Sequence, residues 1–408
     1  MRSWLPRFAR GGAEPDKVYI YSVDYEHDRT YAENIIQYLE SKGVLCRGIT
    51  LRADGFRPEL QLCIDDRATA VLGFNSTLDH SWLASGSFLA AAEQSGIPVV
   101  QWIIDHPSGR WSEFYASTTT NSRFLLNTEQ ERQYFQRYCL PGALTATMGG
   151  VGPNRRSRIG HLTREAFMQR RFSCMIPLSL CRVRSIAEND EALSKLDPPL
   201  SDIVREAIAG ARFDLTGPLH RHLVAALAAF AKEVPAETFN TLCHIVEQSV
   251  QTIRRLTIFT AARKFPVLVQ SDDSATPYFS GATAVLETNV SMEFTLARMS
   301  SCRAVFSVSP MSDMIHDRTA NALNAGCVAI LEDNLAARSV FTHGKNALLF
   351  RYDDDSIEEC LDVVCNDPER AFAIARAGIA LRDDRRLRFG QFHAIIDLAR
   401  RNASRTQS

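Results

Sequence analysis

Short apolar runs that alternate with amphipathic segments constrain the fold of this chain more than any other feature. In the first third, VYIYSVD (18–24) is followed by RTYAENIIQYLESKG (29–43) and then by VLCRGITL (44–51). The first and third runs are predicted strands, and the second is a predicted helix that ends at Gly43. This alternation predicts a parallel, doubly wound α/β sheet. Further predicted elements of the series lie at 57–66, 69–75, 81–96, 97–105, 122–128, 129–139 and 143–150.

A second series of the same kind follows VGPNRRSR (151–158), whose Gly, Pro and charges are typical of a linker. Its first strand is FSCMIPLSL (172–180), and a long, almost wholly helical stretch over 186–262 comes next. Later predicted strands lie at 265–270, 283–289, 304–310, 327–333 and 347–352, and later predicted helices at 356–379 and 388–402.

We therefore expect two Rossmann-like α/β domains, as the length of 408 residues also favours. The predicted N-terminal domain is 1–155. The predicted C-terminal domain is 156–385 with a helical insertion at about 186–262, and a C-terminal helix and tail occupy 386–408.

Bulk composition excludes several classes of protein. Lys and Arg number 46 against 47 Asp and Glu, so a general nucleic-acid binder is not expected. No apolar run approaches the roughly 20 residues of a membrane helix, and MRSWLPRFARGG lacks the apolar core of a secretory signal. The ten cysteines show no metal-binding spacing, which favours reduced thiols in a cytoplasmic protein.

The stretch HDRTANALNAGCVAILED (316–333) combines a helix, a glycine stop at Gly326 and a buried strand. The helix begins after the predicted strand 304–310, with Asp313 or a residue after it as the cap. In open α/β sheets such a helix N-terminus binds anions. Arg318 in the first turn opposes the helix dipole, so its position is explained by a bound phosphate group. The alternative is a surface arginine in a solvated loop.

HDRTANALNAG is similar to the pattern H-x-R-x-x-E-A-L-A-x-G of GT-B glycosyltransferases, especially those of the spore-maturation type. The resemblance continues through FTHGKNALLFRYDDDSIEECLDVVCNDPERAFAIARAG (341–378) and extends upstream to NVSMEFTLARMSSCRAVFSVSP (289–310). It covers roughly 265–380, whereas over 1–160 the likeness is only architectural. It implies a GT-B enzyme that moves a sugar from a nucleotide-sugar donor without a metal or other cofactor. The acceptor, whether glycan, protein or small molecule, is not indicated.

The same resemblance implies where the donor binds. The diphosphate is expected near His316, Asp317 and Arg318. The family's pair of acids, separated by seven residues, falls on Asp313 and Asn321. Asn321 departs from the pattern, since its amide can accept one ribose hydroxyl bond and donate another but carries no charge.

Other donor contacts are implied outside this helix. The nucleobase is expected beside Asn289 and Val290. Arg182 and Arg184, just after the first strand of the second domain, match a place where the family keeps a basic phosphate contact. The alternative for these two arginines is a solvated turn.

The candidate catalytic base lies in WIIDHPSGRW (102–111), where Asp105 and His106 follow an apolar strand. A carboxylate or imidazole suits removal of the acceptor's proton near neutral pH. The alternative is an Asp-His-Pro turn in which Asp105 caps local N–H groups. His27 in DYEHDR (24–29) is a second candidate, beside Asp28 as a helix cap.

Two other signals favour structural roles. The acids of DDD (353–355) suggest a metal site, but Ser356 and Glu359 have capping-box spacing, so a helix is expected to start at Asp355–Ser356. HRHLVAALAAFAKE (220–233) is expected to pack within the insertion rather than lie on a membrane. Two rival functions stay open: a nucleotide-sugar epimerase on the same scaffold, and a degenerate GT-B protein that acts as a binding or partner subunit.

Overall fold

The computed structural model describes residues 15–23, 26–51, 57–74, 88–112, 122–148, 159–180, 185–309, 314–384, 387 and 392–401. Within these ranges the strands form two six-stranded sheets. The first sheet contains β1 (Lys17–Val23), β2 (Leu45–Leu51), β3 (Ala70–Phe74), β4 (Val99–Ile103), β5 (Ser122–Leu126) and β6 (Thr145–Thr147). The second contains β7 (Phe172–Pro177), β8 (Leu268–Ser271), β9 (Val285–Thr288), β10 (Cys302–Ser307), β11 (Val328–Glu332) and β12 (Leu348–Phe350).

The first sheet has the strand order β2-β1-β3-β4-β5-β6. β1 pairs in parallel with both of its neighbours, so that Val18 lies opposite Cys46 on one side and Ala70 on the other. β5 and β6 are also parallel. The chain thus builds outward from β1 in both directions, as expected for a doubly wound sheet.

The second sheet has the order β12-β11-β10-β7-β8-β9, and all five pairings are parallel. Successive strands run outward from β7 to β9 and then from β10 to β12 on the other side. The order therefore reverses between β7 and β10. The carboxyl ends of strands at such a reversal form the crevice where open α/β sheets bind ligands. Two Rossmann-like doubly wound sheets confirm the predicted α/β fold class.

Sixteen α-helices accompany the strands in the described part of the chain. Those before the second sheet are α1 (Glu26–Glu40), α2 (Arg57–Asp65), α3 (Phe88–Gln94), α4 (Glu129–Tyr134) and α5 (Arg164–Met168). Between β7 and β8 lie α6 (Ile186–Ser194), α7 (Pro198–Ala211), α8 (His220–Ala229) and α9 (Ala236–Ala262). The remainder are α10 (Thr276–Phe279), α11 (Met292–Met299), α12 (Asp317–Asn324), α13 (Leu335–Val340), α14 (Asp354–Asn366), α15 (Pro368–Ile379) and α16 (His393–Arg400).

The predicted helical insertion is confirmed as α6 to α9. Its apolar residues share one core with β5 and α4, in which Leu223 and Leu227 of α8 meet Leu242 and Val246 of α9 around Tyr134. Leu223, Ala226 and Leu227 of the stretch 220–233 are buried in protein, as expected, whereas Val224 and Phe230 are exposed. No helix in the described ranges is both long and apolar enough to cross a membrane.

Three predicted helix boundaries were wrong. The stretch 356–379 is two helices, because Pro368 starts α15 and the Asp367 side chain accepts from Arg370 N at 3.0 Å. α14 begins at Asp354 and is capped by Asp353, whose carboxylate accepts from Ser356 N at 2.8 Å. α1 begins at Glu26, so Asp28 lies inside the helix and is not its cap.

Contacts divide the chain into two compact units. The first comprises Met1–Gln101, Thr119–Arg123 and Phe392–Ser408, and the second Trp102–Thr118 and Phe124–Gln391. The second unit contains the second sheet, the insertion and the turn that follows β4. The predicted domain boundary near 155 lies outside the described residues and stays a prediction. The nine cysteines described are free thiols, and eight of them are buried.

Candidate functional site

The N-terminus of α12 lies just beyond the carboxyl end of β10, beside the reversal of strand order. His316 is the N-cap, and its Nδ1 accepts from the backbone N–H of Arg318 at 3.1 Å. The helix ends at Gly326, whose φ of +69° is the left-handed conformation that glycine adopts without strain. The predicted helix, glycine stop and strand are all confirmed. Asp313, the other candidate cap, lies outside the described residues.

Asp317 occupies the first turn of α12 and is buried against its neighbours. One oxygen of its carboxylate lies against Nδ1 of His316. Burial alone would raise the pKa of Asp317, but His316 and Arg318 lower that pKa below its ordinary value. Asp317 is therefore ionised near neutral pH, and an ionised carboxylate does not attract a diphosphate. The contribution open to it is to fix the ring of His316.

A buried hydrogen bond joins the first turn of α12 to the sheet. The Thr319 hydroxyl donates to Ser307 Oγ at the end of β10 over 2.8 Å, in a buried position. Asn321 is only 2% exposed. Arg318 is half-buried. Both residues are predicted to contact the donor, and Arg318 thus has a more accessible side chain than Asn321.

A buried carboxylate, Glu332, closes the end of β11. Its Oε2 accepts from Ser309 N at 2.8 Å, and its Oε1 accepts from the hydroxyl of Tyr352. Burial raises the pKa of Glu332 to about 7, against the opposing charges of Arg254 and Arg318. The Arg254 guanidinium lies 4.8 Å from the centre of the Tyr352 ring.

A second set of contacts closes the end of β7. Asp272 accepts from the Ser179 hydroxyl at 2.7 Å and from Leu180 N at 2.6 Å. Arg255 of α9 donates to the Ser179 carbonyl. The predicted phosphate contacts Arg182 and Arg184 follow directly but lie outside the described residues, so they stay predictions.

Asn289 follows β9 in the left-handed conformation, with a φ of +54°. Its side-chain amide donates to Asp273 at 2.7 Å, and its backbone N–H donates to Ser271 O at 3.0 Å. These two bonds hold a backbone conformation that a non-glycine residue seldom adopts. Val290, the predicted neighbour of the nucleobase, is half-buried next to it.

The turn after β4 carries the predicted base. Asp105 is 63% exposed, and Arg110 Nε lies 3.9 Å from its carboxylate. His106 is 13% exposed and caps the 3₁₀ turn Pro107–Gly109. The cap of this turn is therefore His106, and the alternative in which Asp105 caps local N–H groups stays open. His27 lies in α1, but its side chain is outside the described residues.

His106 belongs to a polar group that spans two elements. Its Nδ1 lies 2.9 Å from Ser108 Oγ and 3.4 Å from Glu247 Oε2 on α9, while Ser108 Oγ donates to the same carboxylate oxygen at 3.0 Å. Burial lowers the pKa of His106 to about 4 and raises the pKa of Glu247 to about 7.

One face of α9 connects this group with the end of β7. Residues 247, 251 and 255 are spaced by four, so they share a face of the helix. Gln251 donates to Glu247 at 3.0 Å and accepts from Arg255 at 3.3 Å, and Arg255 reaches the Ser179 carbonyl. The insertion thus links the turn after β4 to the second sheet by a continuous polar row.

Residues 256–389 match the family model described as glycosyl transferase-like. The C-terminal region of this chain is therefore similar to that family. The matched third of the chain contains α12, Glu332 and Tyr352, and it agrees with the resemblance noted in the sequence. No curated protein matches the chain.

Several solved structures are similar over nearly the whole chain. The sucrose-phosphate synthase of Thermosynechococcus elongatus is 11% identical, with a TM-score of 0.53, over 93% of this chain and 96% of that chain. HepE of Anabaena in complex with UDP-glucose is 10% identical, with a TM-score of 0.50, over 94% of this chain and 98% of that chain. These likenesses show the GT-B fold.

Sequence reasoning missed Glu247, Arg255 and Glu332. Glu332 had a usable signal, because an acid that ends an apolar parallel strand lies at the binding edge of the sheet. Glu247 and Arg255 had none, since their spacing also fits an ordinary helix surface. In the described part of the chain no group of three or more His, Cys, Asp or Glu is placed to hold a metal ion.

Proposed function

We propose that this protein is a glycosyltransferase that moves a sugar from a nucleotide-sugar donor to an acceptor. The observation that carries the proposal is the glycosyl transferase-like region 256–389, in which α12 starts beside the reversal of strand order with Arg318 in its first turn. Free N–H groups and the dipole at such a helix end favour an anion. Arg318 adds a charge-assisted donor for the diphosphate.

Charge at this helix end favours a reaction without a metal. As the sugar leaves, negative charge develops on the nucleotide diphosphate. The positive end of α12 and the guanidinium of Arg318 can take up that charge. Val290, Arg182 and Arg184 are proposed as further donor contacts, and Asp105 and His106 as the candidate bases. We also propose a cytoplasmic location for the protein, which suits the use of a nucleotide-sugar donor.

The proposal is tested by nucleotide binding to matched arginine variants. Arg318→Ala should lose a charge-assisted bond worth about 1.5–3 kcal/mol, so affinity for the preferred nucleoside diphosphate should fall roughly tenfold or more. Calorimetric titration with UDP, GDP, dTDP and ADP identifies that nucleotide and measures the change. Arg205→Ala is the control, because Arg205 is an exposed arginine of α7 in the helical insertion.

Three results would count against the proposal. One is that none of the nucleotides binds the wild-type protein. Another is that Arg318→Ala and Arg205→Ala bind equally well. The third is that Arg318→Ala lowers the melting temperature substantially, because the arginine would then serve the fold rather than a ligand.

A second candidate is a protein that binds a nucleotide-sugar but does not transfer the sugar. It is favoured by Asn321, a neutral and buried amide at the position where the resemblance expects an acid. Donor hydrolysis separates the two candidates, since a binding protein leaves the bound donor intact while an active transferase slowly hydrolyses it. The nucleotide-sugar epimerase would instead convert the donor into its epimer, which the same reaction mixture reveals.

A further inference from the structure

His106, Ser108 and Glu247 form a chain of three polar side chains between the turn after β4 and helix α9. Ser108 Oγ lies 2.9 Å from His106 Nδ1 and 3.0 Å from Glu247 Oε2. Ser108 is 1% exposed and Glu247 7% exposed, so water does not compete for these bonds. Ser108 and Glu247 are 139 positions apart in the sequence.

The three side chains admit two arrangements of their protons, because the serine hydroxyl has only one proton to donate. In the first, His106 Nδ1–H donates to Ser108 Oγ, Ser108 donates to Glu247, and Nδ1 no longer accepts from Ser108 N–H. The proton of the neutral imidazole is then on Nδ1, and Nε2 is free to accept another. In the second, Nδ1 accepts from the Ser108 hydroxyl or from Ser108 N–H at 3.3 Å, and the ring proton is on Nε2. Only the first arrangement makes His106 a base at Nε2.

The ionisation of Glu247 decides between them. An ionised carboxylate only accepts, so it draws the Ser108 proton and leaves Oγ to accept from Nδ1–H. A protonated carboxyl can donate to Ser108 Oγ, which turns the serine hydroxyl towards Nδ1. Since burial raises the pKa of Glu247 to about 7, both states are populated near neutral pH. His106 stays neutral in both, because burial lowers its pKa to about 4.

Charged and titratable groups on several elements affect the ionisation of Glu247. His244 and Arg255 of α9 favour the ionised carboxylate, and Asp105 opposes it. Cys243 and Tyr134 also lie close enough to Glu247 for their charged forms to be disfavoured by it. His220 of α8 lies against the Tyr134 ring, with 4.9 Å between ring centres, while His106 packs on Tyr134 at 4.8 Å.

We propose that Glu247 is a positioning residue that acts through Ser108 to select the His106 tautomer with an unprotonated Nε2. This inference rests on the proposed function. In the transfer step the acceptor oxygen forms a bond to the anomeric carbon as its O–H bond breaks, and the proton passes to His106 Nε2. The bond from the anomeric carbon to the nucleotide breaks, and the nucleoside diphosphate leaves with its electron pair. The imidazolium keeps its Nδ1–H on Ser108 and later returns the second proton to solvent.

The test reads the tautomer directly. Protein labelled with ¹⁵N in its histidines is studied by long-range ¹H–¹⁵N correlation at pH 6 and pH 8, with His106 assigned by its absence in His106→Gln. In the wild type, the protonated ring nitrogen should change from Nε2 at pH 6 to Nδ1 at pH 8. In Glu247→Gln and in Ser108→Ala the tautomer should no longer depend on pH, whereas Glu247→Asp should keep a pH-dependent change.

Glu237→Gln is the matched control, because Glu237 is an exposed carboxylate on the same helix. A wild-type His106 with one tautomer at both pH values would overturn the inference, and this measurement needs no variant. It would equally fail if Glu247→Gln and Ser108→Ala still followed pH as the wild type does. If Glu247→Gln does not fold, the wild-type tautomers at pH 6 and pH 8 decide, and Ser108→Ala then shows whether the effect passes through Ser108 rather than directly over the 3.4 Å between His106 Nδ1 and Glu247 Oε2.

Kinetics separates this inference from the proposed function. Wild-type kcat should fall about tenfold from pH 8 to pH 6, and Glu247→Gln should lose that dependence with the donor KM unchanged. A wild-type protein that switches tautomer but transfers no sugar would overturn the proposed function and the catalytic part of the inference, and leave the control of the tautomer standing. Sugar transfer by a protein whose His106 tautomer does not change with pH would leave the proposed function standing and overturn the control of the tautomer.

Discussion

The backbone N–H of Ser309 donates to the carboxylate of Glu332 over 2.8 Å, which joins the end of β10 to the end of β11. The carboxylate is 3% exposed and also accepts from Tyr352, so its protonation state is coupled to folding. Because the pKa rises from 4.5 to about 7 on folding, the native state binds this proton more tightly than the unfolded state. The stability that Glu332 contributes is therefore complete below about pH 4.5 and is lost as pH rises to about 7.

Glu332→Gln should remove this pH dependence, since an amide does not titrate. The free energy of unfolding of the wild type, minus that of the variant, should fall by on the order of 3 kcal/mol between pH 4.5 and pH 8. Urea unfolding at four pH values measures both proteins, and the subtraction cancels the contributions of His106 and Glu247. A difference that is flat or rises with pH would show that Glu332 is ionised throughout.

Gly326→Ala should destabilise the protein more than Gly281→Ala. Both glycines have a φ of +69°, so both substitutions incur the same conformational cost of about 1 kcal/mol. A Cβ at 281 would meet nothing within 4 Å, whereas at 326 it would overlap the Cδ1 end of the Ile159 side chain and lie 3.2 Å from Arg170 and 3.3 Å from Leu162. Because the end of the Ile159 side chain can shift, this crowding adds about 1 kcal/mol, the low end of overpacking costs. Equal unfolding free energies for the two variants would contradict the described packing around α12.

The kinetics of single variants should show whether Asp105 or His106 is the base. With His106 as the base, His106→Gln should lower kcat at least about 10²-fold while the KM for the donor stays near its wild-type value. Asp105→Asn should lower kcat by only a few-fold, because its exposed carboxylate acts on the site at a distance. The opposite ranking would assign the base to Asp105, and two nearly normal variants would direct attention to His27.

The sequence was sufficient for the fold and for the local structure around Arg318. Strand and helix periods predicted both sheets, and a helix cap, a glycine stop and an arginine in the first turn are all local patterns around Arg318. The break at Pro368 was missed because the apolar period of α14 resumes in α15 with little interruption. Glu247 could not be found, since its partner Ser108 lies 139 positions away and a helical carboxylate carries no sign of its burial. A tertiary contact of that separation leaves no trace in spacing.

Asn321 provides the test of whether the protein is an active transferase or a lapsed one. Its side chain is 2% exposed on α12, three residues after Arg318 and therefore near the same face of the helix. Asn321→Glu would bury a carboxylate at this position, and the cost of several kcal/mol is only partly offset if Arg318 turns to pair with it. An arginine paired in this way would be withdrawn from the diphosphate.

We therefore expect Asn321→Glu to reduce turnover several-fold and to lower the melting temperature. Asn321→Gln, which has the same length without the charge, should be milder in both respects. The measurements are donor hydrolysis and thermal unfolding of the two variants beside the wild type. If Asn321→Glu instead gained activity over both, position 321 would be the site of a lost acid and the binding-only function would be favoured.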